Sequence, residues 1–157
     1  MGKYIAKVSW RNDKGAEYIH GKYSREHVWD FDGGVSVPAS SSPHVVRVPM
    51  SSENAVDPEE ALVASISSCH MLSFLSIAAG QGYVVDTYID EADGVMRKND
   101  EGRIAVTLVN LHPRTRFSGE SVPDEKSLQD MHHQAHEICF IANSVKTEIR
   151  CHPVIES

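Results

Sequence analysis

Residues 57–80 constrain the fold more than any other segment, because they carry a complete set of signals for one long helix. Asp57 suits the N-cap, Pro58 the first helical position and Glu60 the third, which completes a capping box. Apolar and small residues then occupy nearly every face until Gly80 supplies a stop. A helix of this composition is typical of the buried centre of a fold. Serines, a histidine and a cysteine interrupt the apolar run, so we expect no membrane span.

The rest of the chain alternates strand-like segments with one further helix. A second helix begins after residues 123–125 and ends near Cys139, with an apolar stripe of 3-4-3 spacing. Residues 31–56 are rich in serine, proline and glycine and predict a long loop with a short strand at 45–48. The other predicted strands span residues 4–10, 16–22, 83–96, 103–111 and 145–154, with a hairpin turn at 99–102. Strands before, between and after two helices predict an α+β fold.

Length and charge narrow the class of protein. The 157 residues predict a single domain spanning 1–157. The net charge of -7 argues against a nucleic-acid partner, because phosphate binding needs clustered lysine and arginine. The N-terminus shows no signal peptide, so we expect a cytoplasmic protein. Three cysteines in such a protein do not form a secreted disulfide framework, and they need another explanation.

Two cysteines are candidates for thiol chemistry, although the position of each taken alone is typical of a buried core residue. Cys69 lies inside the apolar helix and Cys139 ends the second one. A reactive cysteine needs a nearby cation, since positive charge favours the thiolate. Arg25 is the candidate cation. Glu59 precedes Cys69 by ten residues, about 15 Å along a helix, so it can orient the cation but cannot touch the sulfur.

Histidines offer a competing interpretation. His132, His136 and Cys139 lie on one helical face with spacings of four and three, an arrangement able to bind zinc, and His70 can add a fourth ligand. A hydrolytic interpretation would pair His70 with a neighbouring serine, but the sequence has no nucleophile elbow. Cys151 in the last strand receives no role.

Two motifs together resemble the OsmC/Ohr family of thiol-dependent peroxidases. The first is Asp-Pro-Glu-Glu-Ala-Leu-Val-Ala at residues 57–64, with Cys69 ten residues after Glu59. The second is Ala-His-x-x-Cys at residues 135–139, with a serine five residues later. The separation of 70 residues between the two cysteines and the order of elements also fit the family, so the resemblance covers essentially the whole chain.

The resemblance implies a fold, a partner and a reaction. The fold is OsmC-like, with antiparallel strands around two central cysteine-bearing helices in an intertwined homodimer. Cys69 would be the peroxidatic and Cys139 the resolving cysteine, and Glu59 would position the catalytic Arg25. The family reduces organic hydroperoxides to alcohols, needs no metal or prosthetic group, and is reset by a small or protein-bound dithiol.

Two departures mark a divergent branch. His70 follows the first cysteine where the peroxidases usually carry a large apolar residue, and Phe140 follows the second where proline is common. A branch that has lost the reaction would be a non-catalytic module that binds a hydrophobic small molecule.

Overall fold

The computed structural model of the protein describes residues 2–156, and its helices and strands confirm the predicted α+β class. The chain divides into two compact units, Met1–Ala61 and Leu62–Ser157. The prediction of one domain over residues 1–157 stays a prediction. The helices are α1 Pro58–Gly80 and α2 Glu125–Ile138, and the strands are β1 Ala6–Ser9, β2 His27–Phe31, β3 Ser36–Ala39, β4 Val84–Asp90, β5 Asp93–Lys98, β6 Ile104–Leu111, β7 Pro113–Ser118, β8 Glu148–Cys151 and β9 Val154–Ile155.

The start of α1 confirms the predicted capping box. The Asp57 carboxylate accepts a hydrogen bond from the Glu60 backbone N–H at 2.8 Å, and the Glu60 carboxylate accepts one from the Asp57 N–H at 3.3 Å. Two of the N–H groups that a helix start leaves without an intrahelical partner are thereby satisfied.

The chain buries one face of α1 and leaves the opposite face exposed. The buried residues recur every four positions, at Ile66, His70, Phe74 and Ala78. The sequence predicts a helix that is buried on all sides, and within one chain this is not the case. By length and composition alone, α1 could cross a membrane. The apolar core helices of water-soluble proteins meet the same criterion.

The first unit contains an antiparallel sheet in the order β1-β2-β3. The predicted return strand at residues 16–22 is wrong, because Gly15–His20 forms a 3-10 helix and β1 pairs with β2 instead. Side-chain packing explains the difference: the ring of Tyr18 lies 5.7 Å from that of Trp10 and 4.7 Å from that of Tyr23. Packing among these three rings favours a helical turn over an extended strand.

The long loop predicted at residues 31–56 is shorter in the structure, because its first part belongs to the sheet as β3. The short strand predicted at 45–48 is wrong. The N–H groups of Val45 and Val46 both donate to the Ser42 carbonyl, which closes a turn there.

The second unit contains two three-stranded sheets, in the orders β4-β7-β9 and β5-β6-β8. The β5–β6 hairpin confirms the predicted turn, where the Asn99 side chain accepts hydrogen bonds from two backbone N–H groups. The predicted strand at 83–96 is divided into β4 and β5, and the predicted strand at 145–154 into β8 and β9. Strand β7 was not predicted. Each of the last two strands pairs in parallel with an earlier strand, β8 with β6 and β9 with β7.

Helix α2 confirms the prediction for the second helix. Asp124 caps it by accepting a hydrogen bond from the Ser127 N–H at 2.7 Å. Its apolar stripe packs with Phe74 of α1 and Phe117 of β7 in one hydrophobic core, which holds α2 against α1. Ile138, the last residue of the predicted stripe, remains half exposed at 52%.

Candidate functional site

Cys69 and Cys139 come together in the second unit. Cys69 lies half-buried on α1, and Cys139 is the fully buried residue that ends α2. Both thiols are free, and they are close enough for the Cys69 side chain to raise the pKa of the Cys139 thiol. Cys139 is also fixed from the other side, since the Ala142 N–H donates to its sulfur at 3.4 Å. The pair therefore consists of one more accessible thiol and one sequestered thiol.

The environment of Cys139 keeps that residue protonated. Burial raises the pKa of the Cys139 thiol, and the hydrogen bond to Cys69 raises it further. Backbone N–H groups at Ile141 and Ala142 act in the opposite direction, but burial has the largest effect. At neutral pH the Cys139 side chain is therefore a thiol rather than a thiolate.

Arg25 and Glu59 line one cavity in the first unit. The cavity has a volume of about 420 Å³, and its walls include the aromatic side chains of Trp10, Tyr18 and Tyr23. The Oε2 atom of Glu59 is buried and has no hydrogen-bond partner among residues 2–156. An unpaired carboxylate oxygen in a partly apolar cavity favours a cationic or hydrogen-bond-donating neighbour.

The side chain of Arg25 is directed by its own neighbours. Its guanidinium lies 3.7 Å from the centre of the Tyr23 ring, a cation–π contact, and donates to the carbonyls of Gly21 and Tyr23 at 2.9 and 2.6 Å. Among the ion pairs formed by residues 2–156, none joins Arg25 to Glu59. The two residues line one cavity without an ion pair between them.

The predicted zinc ligands do not come together. Cys139 contacts Cys69, while the His132 ring turns away from it toward α1 and β8. His132, His136 and Cys139 therefore do not converge on one point, and this part of the sequence interpretation is wrong. Helical spacing places side chains on one face but does not set their rotamers.

A different set of ligand-type atoms converges in the second unit. Nε2 of His70 lies 2.9 Å from Nδ1 of His132, and the sulfur of Cys151 lies 3.7 Å from the first and 3.6 Å from the second. As a metal ligand, the sequence names His70 only as an addition to another set, and it gives Cys151 no role. No local signal could have linked them, because the parallel pairing of β8 with β6 is what carries Cys151 to the two histidines.

A family model described as OsmC-like protein matches residues 51–153. The solved structure of an OsmC-like protein of unknown function from Vibrio cholerae is 52% identical, covers 98% of this chain and 100% of its own, and has a TM-score of 0.95. No functionally curated protein matches.

More distant solved structures share the fold. An organic hydroperoxide resistance protein from Elizabethkingia anophelis, with thiocyanate bound, is 14% identical over 100% of this chain and 97% of its own, with a TM-score of 0.67. The organic hydroperoxide resistance protein OhrB of Bacillus subtilis is 16% identical over 97% and 98%, with a TM-score of 0.62.

Proposed function

The chain belongs to the OsmC-like protein family, and we propose that it is a cysteine-based peroxidase that reduces organic hydroperoxides to alcohols. The observation that carries the proposal is the proximity of the Cys69 thiol to Cys139, whose pKa it raises, although the two residues are 70 positions apart in the sequence. Structural relatives named as organic hydroperoxide resistance proteins support the same class of reaction.

The difference in exposure between the two thiols supports the roles that the resemblance implies for them. Cys69, the more accessible, attacks the terminal oxygen of the hydroperoxide as the thiolate. The O–O bond breaks, the alkoxide takes up a proton and leaves as the alcohol, and Cys69 becomes a sulfenic acid. The Cys139 sulfur then displaces hydroxide from that sulfenic acid, and the Cys139 proton completes the water molecule that leaves. The products are a Cys69–Cys139 disulfide and water.

An external dithiol, small or protein-bound, completes the cycle. It reduces the disulfide by thiol–disulfide exchange, becomes a disulfide itself and returns both cysteines to thiols. The net reaction consumes one hydroperoxide and one dithiol and releases one alcohol, one water and one oxidised dithiol. No metal or prosthetic group takes part in it.

The roles of Arg25 and Glu59 are proposed from the family resemblance. Arg25 would supply the positive charge that favours a thiolate, and the unpaired Glu59 oxygen would orient it. In the first unit both residues line the cavity of about 420 Å³. Arg25→Lys keeps the charge but loses the planar fork of the guanidinium. We therefore expect this variant to have a clearly lower turnover and only a slightly lower melting temperature.

We also propose that the protein is a homodimer. Helix α1 has the composition of a core helix, yet its outer face is exposed in the single chain, where Leu72 is 61% exposed. A second copy would cover this face and give α1 the surroundings that its composition indicates.

The catalytic proposal is tested by following cumene hydroperoxide consumption with dithiothreitol as the reductant. We expect Cys69→Ser to reduce the rate to that of the uncatalysed reaction, because the nucleophile is lost. Treated with cumene hydroperoxide in the absence of dithiothreitol, Cys139→Ser should turn over once and accumulate a Cys69 sulfenic acid, detected by mass spectrometry after dimedone labelling. Cys151→Ser is the matched control, since it removes a thiol outside the pair, and its rate should equal that of the wild type.

Equal rates for the wild type and Cys69→Ser would contradict the peroxidase proposal. That result would favour the non-catalytic alternative, a module that binds a hydrophobic small molecule. The aromatic cavity in the first unit is of a size suited to such a ligand.

A further inference from the structure

We propose that His70, His132 and Cys151 form a binding site for a zinc ion. The site lies where α1, α2 and β8 meet in the second unit. The three side chains offer two imidazole nitrogens and one sulfur, and these three atoms lie within 4.8 Å of one another. Neutral imidazole together with thiolate is a ligand set that zinc prefers. The site is separate from the Cys69–Cys139 pair and does not depend on the peroxidase proposal.

The spacing of the three atoms fits tetrahedral coordination. Zinc binds nitrogen at about 2.0–2.1 Å and sulfur at about 2.3 Å, so a tetrahedral angle sets N···N at about 3.3 Å and N···S at about 3.6 Å. The observed N···S distances are 3.7 Å from His70 and 3.6 Å from His132. The observed N···N distance is 2.9 Å, so the two rings need to separate by only about 0.4 Å to admit the ion.

The rings are already oriented for this task. His70 and His132 are 1% and 2% exposed. The His132 ring stacks on Phe74 at 4.1 Å and lies within 9° of parallel to the His70 ring. Because packing fixes both rotamers, metal binding would cost little side-chain entropy.

The protonation states also fit. Burial lowers the pKa of His70 to about 4 and that of His132 to about 3, so both are neutral at neutral pH, as ligands must be. Each ring can carry its single proton on the outer nitrogen, Nδ1 of His70 and Nε2 of His132, two buried atoms that have no partner among residues 2–156. Cys151 would bind as the thiolate, so one proton is released for each ion bound.

The surroundings supply negative charge and a route of entry. Burial is the main cause that raises the pKa of Cys151, and the Asp90 carboxylate raises it further and opposes the lowering of the His70 pKa by burial. The negative charge of Asp90 therefore acts on the site, and together with the Cys151 thiolate it would balance a divalent cation. A cavity of about 540 Å³ reaches His132 and Cys151 and is also lined by His133, His136 and His152. An ion with three protein ligands would keep its fourth position for water at this cavity.

The test is a titration of the full chain, carrying no histidine tag and freed of metal with a chelator, with Co²⁺ as a spectroscopic substitute for zinc. We expect one Co²⁺ per chain, a thiolate-to-cobalt charge-transfer band in the near ultraviolet, and its loss on adding one equivalent of Zn²⁺. Cys151→Ser should abolish the band, and His132→Gln should weaken binding by at least about a hundredfold, more than loss of an outer-sphere contact costs.

Two matched controls separate this site from its neighbours. Cys139→Ser makes the same change at a thiol outside the site, and His133→Gln makes the same change one position along α2. Both should bind Co²⁺ like the wild type. A wild type without the band, or a Cys139→Ser variant that loses it as fully as Cys151→Ser, would overturn the proposal.

A measurement on the wild type tests the site even if the variants do not fold. X-ray absorption of the zinc-loaded protein should show one sulfur at about 2.3 Å and nitrogen or oxygen ligands at about 2.0–2.1 Å. A first shell without sulfur would rule out Cys151 as a ligand and overturn the site.

Discussion

At the scale of single residues, the pH dependence of Cys139 tests how the cysteine pair is built. Because burial and the Cys69 hydrogen bond raise the pKa of Cys139, less thiolate is present near neutral pH than in the unfolded chain. The rate of iodoacetamide alkylation at Cys139, resolved by peptide mass spectrometry and normalised to its high-pH plateau, should therefore have its midpoint above that of the urea-unfolded protein.

Cys69→Ala separates the two causes. It removes the hydrogen bond but leaves the larger effect, burial, so the midpoint should fall only part of the way toward the unfolded value. A native midpoint at or below the unfolded one would contradict the described environment of Cys139.

The residues of the cysteine pair could be identified from the sequence, whereas the histidine–cysteine cluster could not. Cys69 and Cys139 belong to local motifs whose spacing is visible along the chain. The position of Cys151 depends on its parallel register with Leu111, a contact between residues 40 positions apart. Pairing between residues so far apart in the sequence leaves no local pattern. The sequence therefore groups His132 with its neighbours on the helix as zinc ligands, and not with Cys151.

At the scale of elements, Gly94 marks a close approach of β5 to α1. A β-carbon added at Gly94 would lie 2.7 Å from the Cγ2 of Val63, well inside van der Waals contact. We expect Gly94→Ala to destabilise the protein by about 1–3 kcal/mol, as overpacking does. Thermal unfolding followed by circular dichroism should show the melting temperature falling by several degrees.

Val63→Ala removes the atom that Gly94→Ala would meet, and so provides the control. In a double-mutant cycle, the two changes together should cost less than the sum of the single changes. Strict additivity would show that Val63 and position 94 do not contact each other.

The elements that the sequence predicted correctly are those with local start and stop signals. Both helices carry side-chain caps, at Asp57 and Asp124, and the β5–β6 turn is held by Asn99. The segment 16–22 has a strand-like composition, but it forms a 3-10 helix because Tyr18 packs on Trp10 and Tyr23. Tertiary packing overrides local preference where no cap or turn residue fixes the backbone.

At the scale of the whole molecule, the composition of α1 indicates a helix buried on all sides, but one of its faces is exposed in the single chain. This difference points to a second copy of the chain. Residues Ala64, Ser68, Leu72 and Ser76 recur every four positions and are all exposed, so they form one continuous outer stripe. Small side chains in such a stripe let two helices approach closely, with Leu72 as the largest apolar group available for burial.

Leu72→Glu should therefore convert a dimer into a monomer, because a carboxylate on the outer stripe would have to be buried without a partner. Sedimentation velocity should show the wild type at twice the mass of the chain, 17.4 kDa, and the variant at that mass. Ile104→Glu is the matched control, since Ile104 is 64% exposed at the start of β6 and lies off the stripe. A wild type that sediments as a monomer, or a Leu72→Glu variant that remains dimeric, would show that the outer face of α1 is not the interface.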